Sequence, residues 1–442
     1  MTPSPLAAPQ GPAAGGSRHG HLIPLAMSLF FAFGFCTVLV DTLTPKLKGM
    51  FSLSYTEVML TPFAFFGAYA LVALPASSLL KRMGYLEVLA TGLVITAVGC
   101  LLFTPAAIVG EYPLFLLAVF VMASGVTVVQ VAANPLTTVI GDPRYSHSRL
   151  TLAQAFNSLA TTVGPMVGSA LILAHSQVSP DPHKVSAAVM SAFRRTEAHS
   201  VQGPFMAIAA GLILLAIACL AFRKQAPRPV VSTGGSYGKA LRSKKLMFGA
   251  LAIFAYVGAE VTIGSLMTNY LMTPRVLGTT AETAGKLVSV YWGLAMVGRF
   301  IGAFALRKVK AGNMVAGCGI VAGLLTLASA LTGGPTAAVL ILSVGLFNSI
   351  MFPTIFAMAV EDLGDAVGAG SGILCVAIVG GAVVPLITGR VADLAGISAG
   401  LIIPAACYIC VLSYGLIVGR PRFNLHTSRE TVGEALLDDA AA

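Results

Sequence analysis

Twelve runs of near-continuous apolar residues divide this chain: 22–44, 58–80, 86–107, 113–140, 150–174, 204–222, 246–272, 284–306, 313–332, 336–360, 367–390 and 397–418. About 20 apolar residues let a helix cross the bilayer's hydrocarbon layer. Only helices or closed barrels satisfy their backbone hydrogen bonds there. Barrel strands alternate apolar and polar residues, whereas these runs, such as Leu212 to Phe222, are continuous. The expected fold is therefore an all-α membrane protein with twelve transmembrane helices. Composition agrees: 56% of the 442 residues are hydrophobic, 10% are charged, and the mean hydropathy is +0.87. That excludes a soluble enzyme, a disordered chain and a secreted disulfide scaffold. The 47 Gly and 24 Pro suit bundled membrane helices, which pack closely on small residues and tolerate proline kinks.

All seven cysteines lie inside apolar runs, where they act as small hydrophobes and no disulfide is expected. Cys407 and Cys410 have C-x-x-C spacing, but no other soft ligand stands near them in sequence, and no metal or cofactor is expected. Residues 1–21, rich in Pro, Gly and Ala, read as a disordered tail and not as a cleavable signal peptide. Residues 419–442 read as a second tail.

An even number of spans puts both termini on one side. If that side is the cytoplasm, its segments hold Arg18, Lys81, Arg82, Arg144, Arg149, seven basic residues between 223 and 245, Arg307, Lys308, Lys310, Arg420, Arg422 and Arg429, which is 18 of the 27 basic residues. The other side holds Lys46, Lys48, Lys184, Arg194, Arg195, Arg275, Lys286 and Arg390, and Arg299 lies within a span. The bias places both termini in the cytoplasm. It also accounts for the net charge of +10 without nucleic acid. The segment 223–245 has no acid and contains Pro227, Pro229, Gly234 and Gly235, which marks a cytoplasmic linker between a bundle at 22–222 and a bundle at 246–418. A shift of 226 positions lays the first run on the seventh and the Lys81-Arg82 pair on Arg307-Lys308, the weak internal symmetry of a duplicated transporter.

A charge at the bilayer centre costs at least ~2.5 kcal/mol, so the ionisable groups within runs call for a function. Asp41 and Glu260 are the acids well inside spans, each in the first span of its half. A carboxylate in such a place can exchange a proton or bind a cation. Arg299, with Lys81, Arg82 and Arg307 at neighbouring helix ends, reads as a gate or structural group. The seven histidines fall in tails and loops, which argues against a histidine proton relay. In the fourth run, Gln130 and Asn134 share a helix face, as do Gln154 and Asn157 in the fifth. Amides donate and accept hydrogen bonds, as a ring of sugar hydroxyls requires, and Pro135 can kink its helix beside them. Interhelical amide glue is the plainer reading of the same pairs. In the second half, Asn269, Tyr291, Trp292, Asn348 and Thr354 are further binding candidates, with Trp292 suited to stacking on a sugar ring or to packing.

Several segments carry a resemblance to a known family: D-T-L-T-P-K-L-K after Val40, S-Y-T-E-V-M-L with A-F-F-G-A-Y, Q-V-A-A-N-P from Gln130, R-L-T-L-A-Q-A-F-N-S from Arg149, Y-V-G-A-E from Tyr256 and F-N-S-I-M-F-P-T-I-F from Phe347. Over roughly 22–418 the chain resembles the fucose/galactose/glucose branch of the major facilitator superfamily. The resemblance implies two six-helix bundles. It also implies that Asp41 matches the first-helix acid thought to be protonated in the L-fucose/proton symporter, and that Gln154 and Asn157 match residues lining the sugar cavity. The chain departs from the fucose symporter at Gln130, where that protein has an acid, and at Glu260, where it has an amide. This exchange resembles the glucose/galactose members and favours glucose or galactose over fucose.

The expected function is thus transport and not catalysis: uptake of a hexose by cation-coupled symport with alternating access, in a bacterial inner membrane, by a monomer. Coupling would run through Asp41, with Glu260 either the partner site or a sugar-hydroxyl acceptor in the substrate-binding set, and the ion would be a proton or sodium. A multidrug exporter of the same fold, a sugar uniporter and a membrane sugar sensor are the alternatives.

Overall fold

The computed structural model describes residues 20–141, 146–174, 185–226, 237–306, 308–363 and 366–419. Among them, twelve helices are long and apolar enough to cross a membrane: Gly20–Phe51, Tyr55–Leu80, Tyr85–Val109, Tyr112–Thr137, Leu152–Leu173, Val189–Gln225, Lys244–Met272, Ala281–Ala305, Ala311–Leu331, Gly334–Val360, Ala369–Ala395 and Ile397–Val418. These are spans 1 to 12. No strand occurs among the described residues. Consecutive spans run in opposite directions, so Gly20 and Gly419 mark the same face of the molecule, here the near face.

Two helices run well past the apolar runs, and a buried ion pair joins the two extensions. Span 1 continues to Phe51, and the helix of span 6 begins at Ala187 where the apolar run starts at 204. Lys46 and Glu197 meet there at 2.6 Å, both buried. Each charge ends an apolar run when read alone, and each is offset by the other inside the fold. Glu197 therefore joins Asp41 as a buried acid on a spanning helix. The expectation that spans lack histidine also needs correction, because His21 opens span 1 and His199 lies on the helix of span 6. That helix has 36 residues and is about 54 Å long at 1.5 Å per residue. It exceeds a hydrocarbon layer of about 30 Å, so its first turns have room outside that layer.

The buried apolar side chains form two clusters. One is built from residues between Leu22 and Cys219, the other from residues between Ala240 and Val418 with Val58 and Met59 added. Spans 1–6 and 7–12 thus make two halves, each with its own core. In the second half three spans are interrupted, span 12 only at Leu401 near its start. Span 10 consists of helices Gly334–Asn348 and Met351–Val360, and span 11 is broken between Ala377 and Gly380. A break of this kind frees backbone carbonyls inside the bundle, and the break in span 10 lies beside Glu260.

At the far face the halves close on each other through span 11. Asp393 accepts hydrogen bonds from the Tyr55 amide at 2.6 Å, the Thr56 amide at 2.8 Å and the Thr56 hydroxyl at 2.5 Å. It thereby caps the first turn of span 2 from across the seam. One helical turn earlier, Gly389 rests on the Tyr55 carbonyl so closely that a Cβ would stand 2.6 Å from that oxygen.

Candidate functional site

Asp41 lies beyond the midpoint of span 1 and is 8% exposed. Ser265 of span 7 donates its hydroxyl to Oδ1 at 3.1 Å, and Trp292 of span 8 donates its indole N–H to Oδ2 at 3.3 Å. The carboxylate of one half is therefore held by two donors of the other. Among the described residues no cation pairs with it. The Trp292 ring stands edge-on to Tyr291, with centroids 5.1 Å apart.

Glu260 is half-buried on span 7. One turn earlier, the Tyr256 hydroxyl lies 2.7 Å from Glu260 Oε1 and 2.9 Å from the Asn348 carbonyl at the break in span 10. Asn348 is fully buried. Its Nδ2 donates to the Tyr291 hydroxyl at 2.8 Å and its Oδ1 accepts from the Tyr408 hydroxyl at 2.8 Å. Glu260, Tyr256, Asn348, Tyr291 and Tyr408 form one network across spans 7, 8, 10 and 12. Asn348 and Tyr291, expected to face a ligand, are enclosed in it and bond to each other. Thr354 is buried on the near-side helix of span 10. Asn269, toward the far end of span 7, has a buried Nδ2 without a hydrogen-bond partner.

In the first half, Gln130 and Asn157 are half-buried, while Asn134 and Gln154 are exposed. Asn157 donates from Nδ2 to the Phe30 carbonyl of span 1 at 3.2 Å, so this amide also ties spans 5 and 1 together. Arg299 is half-buried and donates from Nη1 to the Ser158 hydroxyl of span 5. It thus bridges the halves on the near side of the network. Arg82 is exposed at the end of the span 2 helix. Arg307 and the Lys81 side chain lie outside the described residues.

Sequence reasoning missed Ser265, Ser158, Tyr256, Tyr408 and Asp393. Tyr256 was within reach, since it precedes Glu260 by four residues and so shares its helix face. Ser265 carries no such signal, because its partner Asp41 stands 224 positions away and only the packing of the halves joins them.

Comparison with known proteins places this arrangement. The Major Facilitator Superfamily model matches residues 25–384. A glucose/galactose transporter of Brucella abortus (strain 9-941) is 45% identical over 403 residues, covering 90% of this chain and 94% of that protein. The L-fucose-proton symporter of Escherichia coli K12 is 32% identical over 411 residues, covering 90% and 94% respectively. Among solved structures, the transporter FucP in its outward conformation superposes with a TM-score of 0.69 at 30% identity, covering 91% of this chain and all of that one. All three are transporters by name. The chain is a multi-pass membrane protein that belongs to the Major Facilitator Superfamily, in the branch that holds the glucose/galactose transporters and the L-fucose-proton symporter.

Proposed function

We propose that this protein takes up a hexose, glucose or galactose, by proton-coupled symport with alternating access. Residues 22–222 and 246–418 serve as the two rocking bundles and 223–245 as their linker. The observation that carries the reading is Asp41, a buried carboxylate of one half held by donors of the other, in a chain whose 45%-identical relative is named a glucose/galactose transporter. The basic residues on the near side make that face cytoplasmic, with both termini inside a bacterial inner membrane. The Asp393 cap and the Gly389 contact hold the far face closed. The four amides of spans 4 and 5 bind sugar hydroxyls, and the Glu260 network shapes the opposite wall. One copy of the chain contains all of these groups, which supports a monomer.

The proton is favoured over sodium by the donors on Asp41. Sodium requires oxygen lone pairs turned inward, and the indole N–H offers a hydrogen instead. Uptake of radiolabelled glucose, galactose and fucose into vesicles tests the substrate class. Glucose or galactose is expected to accumulate and fucose is not. Export of lipophilic cations without sugar uptake would overturn the proposal in favour of a multidrug exporter.

A further inference from the structure

We infer that Ser265 and Trp292 are positioning residues that stabilise ionised Asp41 while the carrier returns without its proton. The inference rests on the proton-symport reading. A symport cycle crosses the occluded state twice, once with Asp41 protonated and once with it bare. A bare carboxylate enclosed between two helical bundles carries a desolvation cost of several kcal/mol unless hydrogen bonds or a countercharge offset it. Among the described residues Asp41 has no countercharge. It has one donor on each oxygen, the Ser265 hydroxyl on Oδ1 and the Trp292 indole on Oδ2.

Those donors bond more strongly to the ionised form than to the protonated one. An indole N–H only donates, so Oδ2 accepts from it in either protonation state, and it is the strength of the bond that differs: hydrogen bonds to a carboxylate are roughly twice as strong as those between neutral groups. Gly264 keeps the backbone of span 7 close to this point, since a Cβ there would stand 3.2 Å from Oδ2. Because both donors belong to the second half, the charge on Asp41 is bonded across the seam that must rearrange. Protonation weakens these bonds, and the loaded carrier crosses without needing them. Trp292 thereby has a role other than stacking on the sugar, and Ser265 enters the mechanism.

The test uses full-length protein in proteoliposomes and compares two rates for each variant. One is net uptake of labelled glucose or galactose driven by a proton gradient, which requires the empty return. The other is exchange of labelled for unlabelled sugar at equilibrium, which bypasses it. In Ser265→Ala and in Trp292→Phe, the ratio of net uptake to exchange is expected to fall about tenfold, and in Ser265→Thr, which keeps the hydroxyl, to stay near the wild-type value. Equal losses in both rates would make these residues structural, and a raised sugar KM at an unchanged ratio would make them sugar contacts; either result overturns the inference. If Trp292→Phe does not fold, the Ser265 pair decides. A wild-type protein that exchanges sugar but never concentrates it would refute proton symport itself and remove the return step with it.

Discussion

At the scale of single residues, two polar groups of similar sequence appearance take different positions. Gln154 is exposed, whereas Asn348 is fully enclosed. Both sit in apolar helices, so neither hydropathy nor spacing separates them. The Asp41 environment was half legible: a lone acid in the first span was visible, and the donors that hold it were not, because they come from spans 7 and 8. Truncating an amide that bonds a buried hydroxyl leaves that hydroxyl unsatisfied, at about 1–3 kcal/mol. Alanine at Gln130, Asn134, Gln154 or Asn157 is therefore expected to weaken sugar binding about fivefold or more, measured by equilibrium binding to purified protein. Asn157→Ala is expected to lower thermal stability as well, through loss of its bond to Phe30. Wild-type affinity in all four variants would make these amides packing groups.

At the scale of helices, the apolar runs located every span, and charge hid where two of them end. Lys46 looked like the far edge of span 1 because a lone lysine is expensive in an apolar setting; its partner Glu197 lies 151 positions away. Removing one member of a buried ion pair costs about 3–5 kcal/mol, whereas replacing both with apolar groups is often neutral. Lys46→Met alone is accordingly expected to lower the melting temperature strongly. The Lys46→Met/Glu197→Met pair should recover most of the loss, as thermal unfolding in detergent would show. The seam at Asp393 makes a separate prediction. A cap of this kind contributes about 1 kcal/mol, so Asp393→Ala should favour opening at the far face about fivefold. The readout is the rate at which an impermeant thiol reagent labels T388C from outside, in a background free of the seven native cysteines. An unchanged rate would mean that the glycine packing closes this face without the cap.

At the scale of the whole molecule, the even span count, the basic bias of the near side and the 226-residue shift already pointed to two similar bundles around a shared seam. What the sequence could not carry is the contact between the bundles. Asp41 to Ser265 and Trp292, Ser158 to Arg299, and Asp393 to the start of span 2 each join residues more than 140 positions apart. These contacts turn two helical bundles into a device in which one proton can bias which face is open. Asp41→Asn imitates the neutral form permanently. It is expected to abolish gradient-driven accumulation while sugar exchange continues, since exchange never asks the empty carrier to reorient. The most direct measurement is sugar accumulation in wild-type and Asp41→Asn proteoliposomes under an imposed pH gradient, with an imposed sodium gradient alongside. The pH gradient alone is expected to concentrate glucose or galactose, and only in the wild type. Accumulation driven by sodium, accumulation by the Asp41→Asn variant, or no accumulation under either gradient would contradict it.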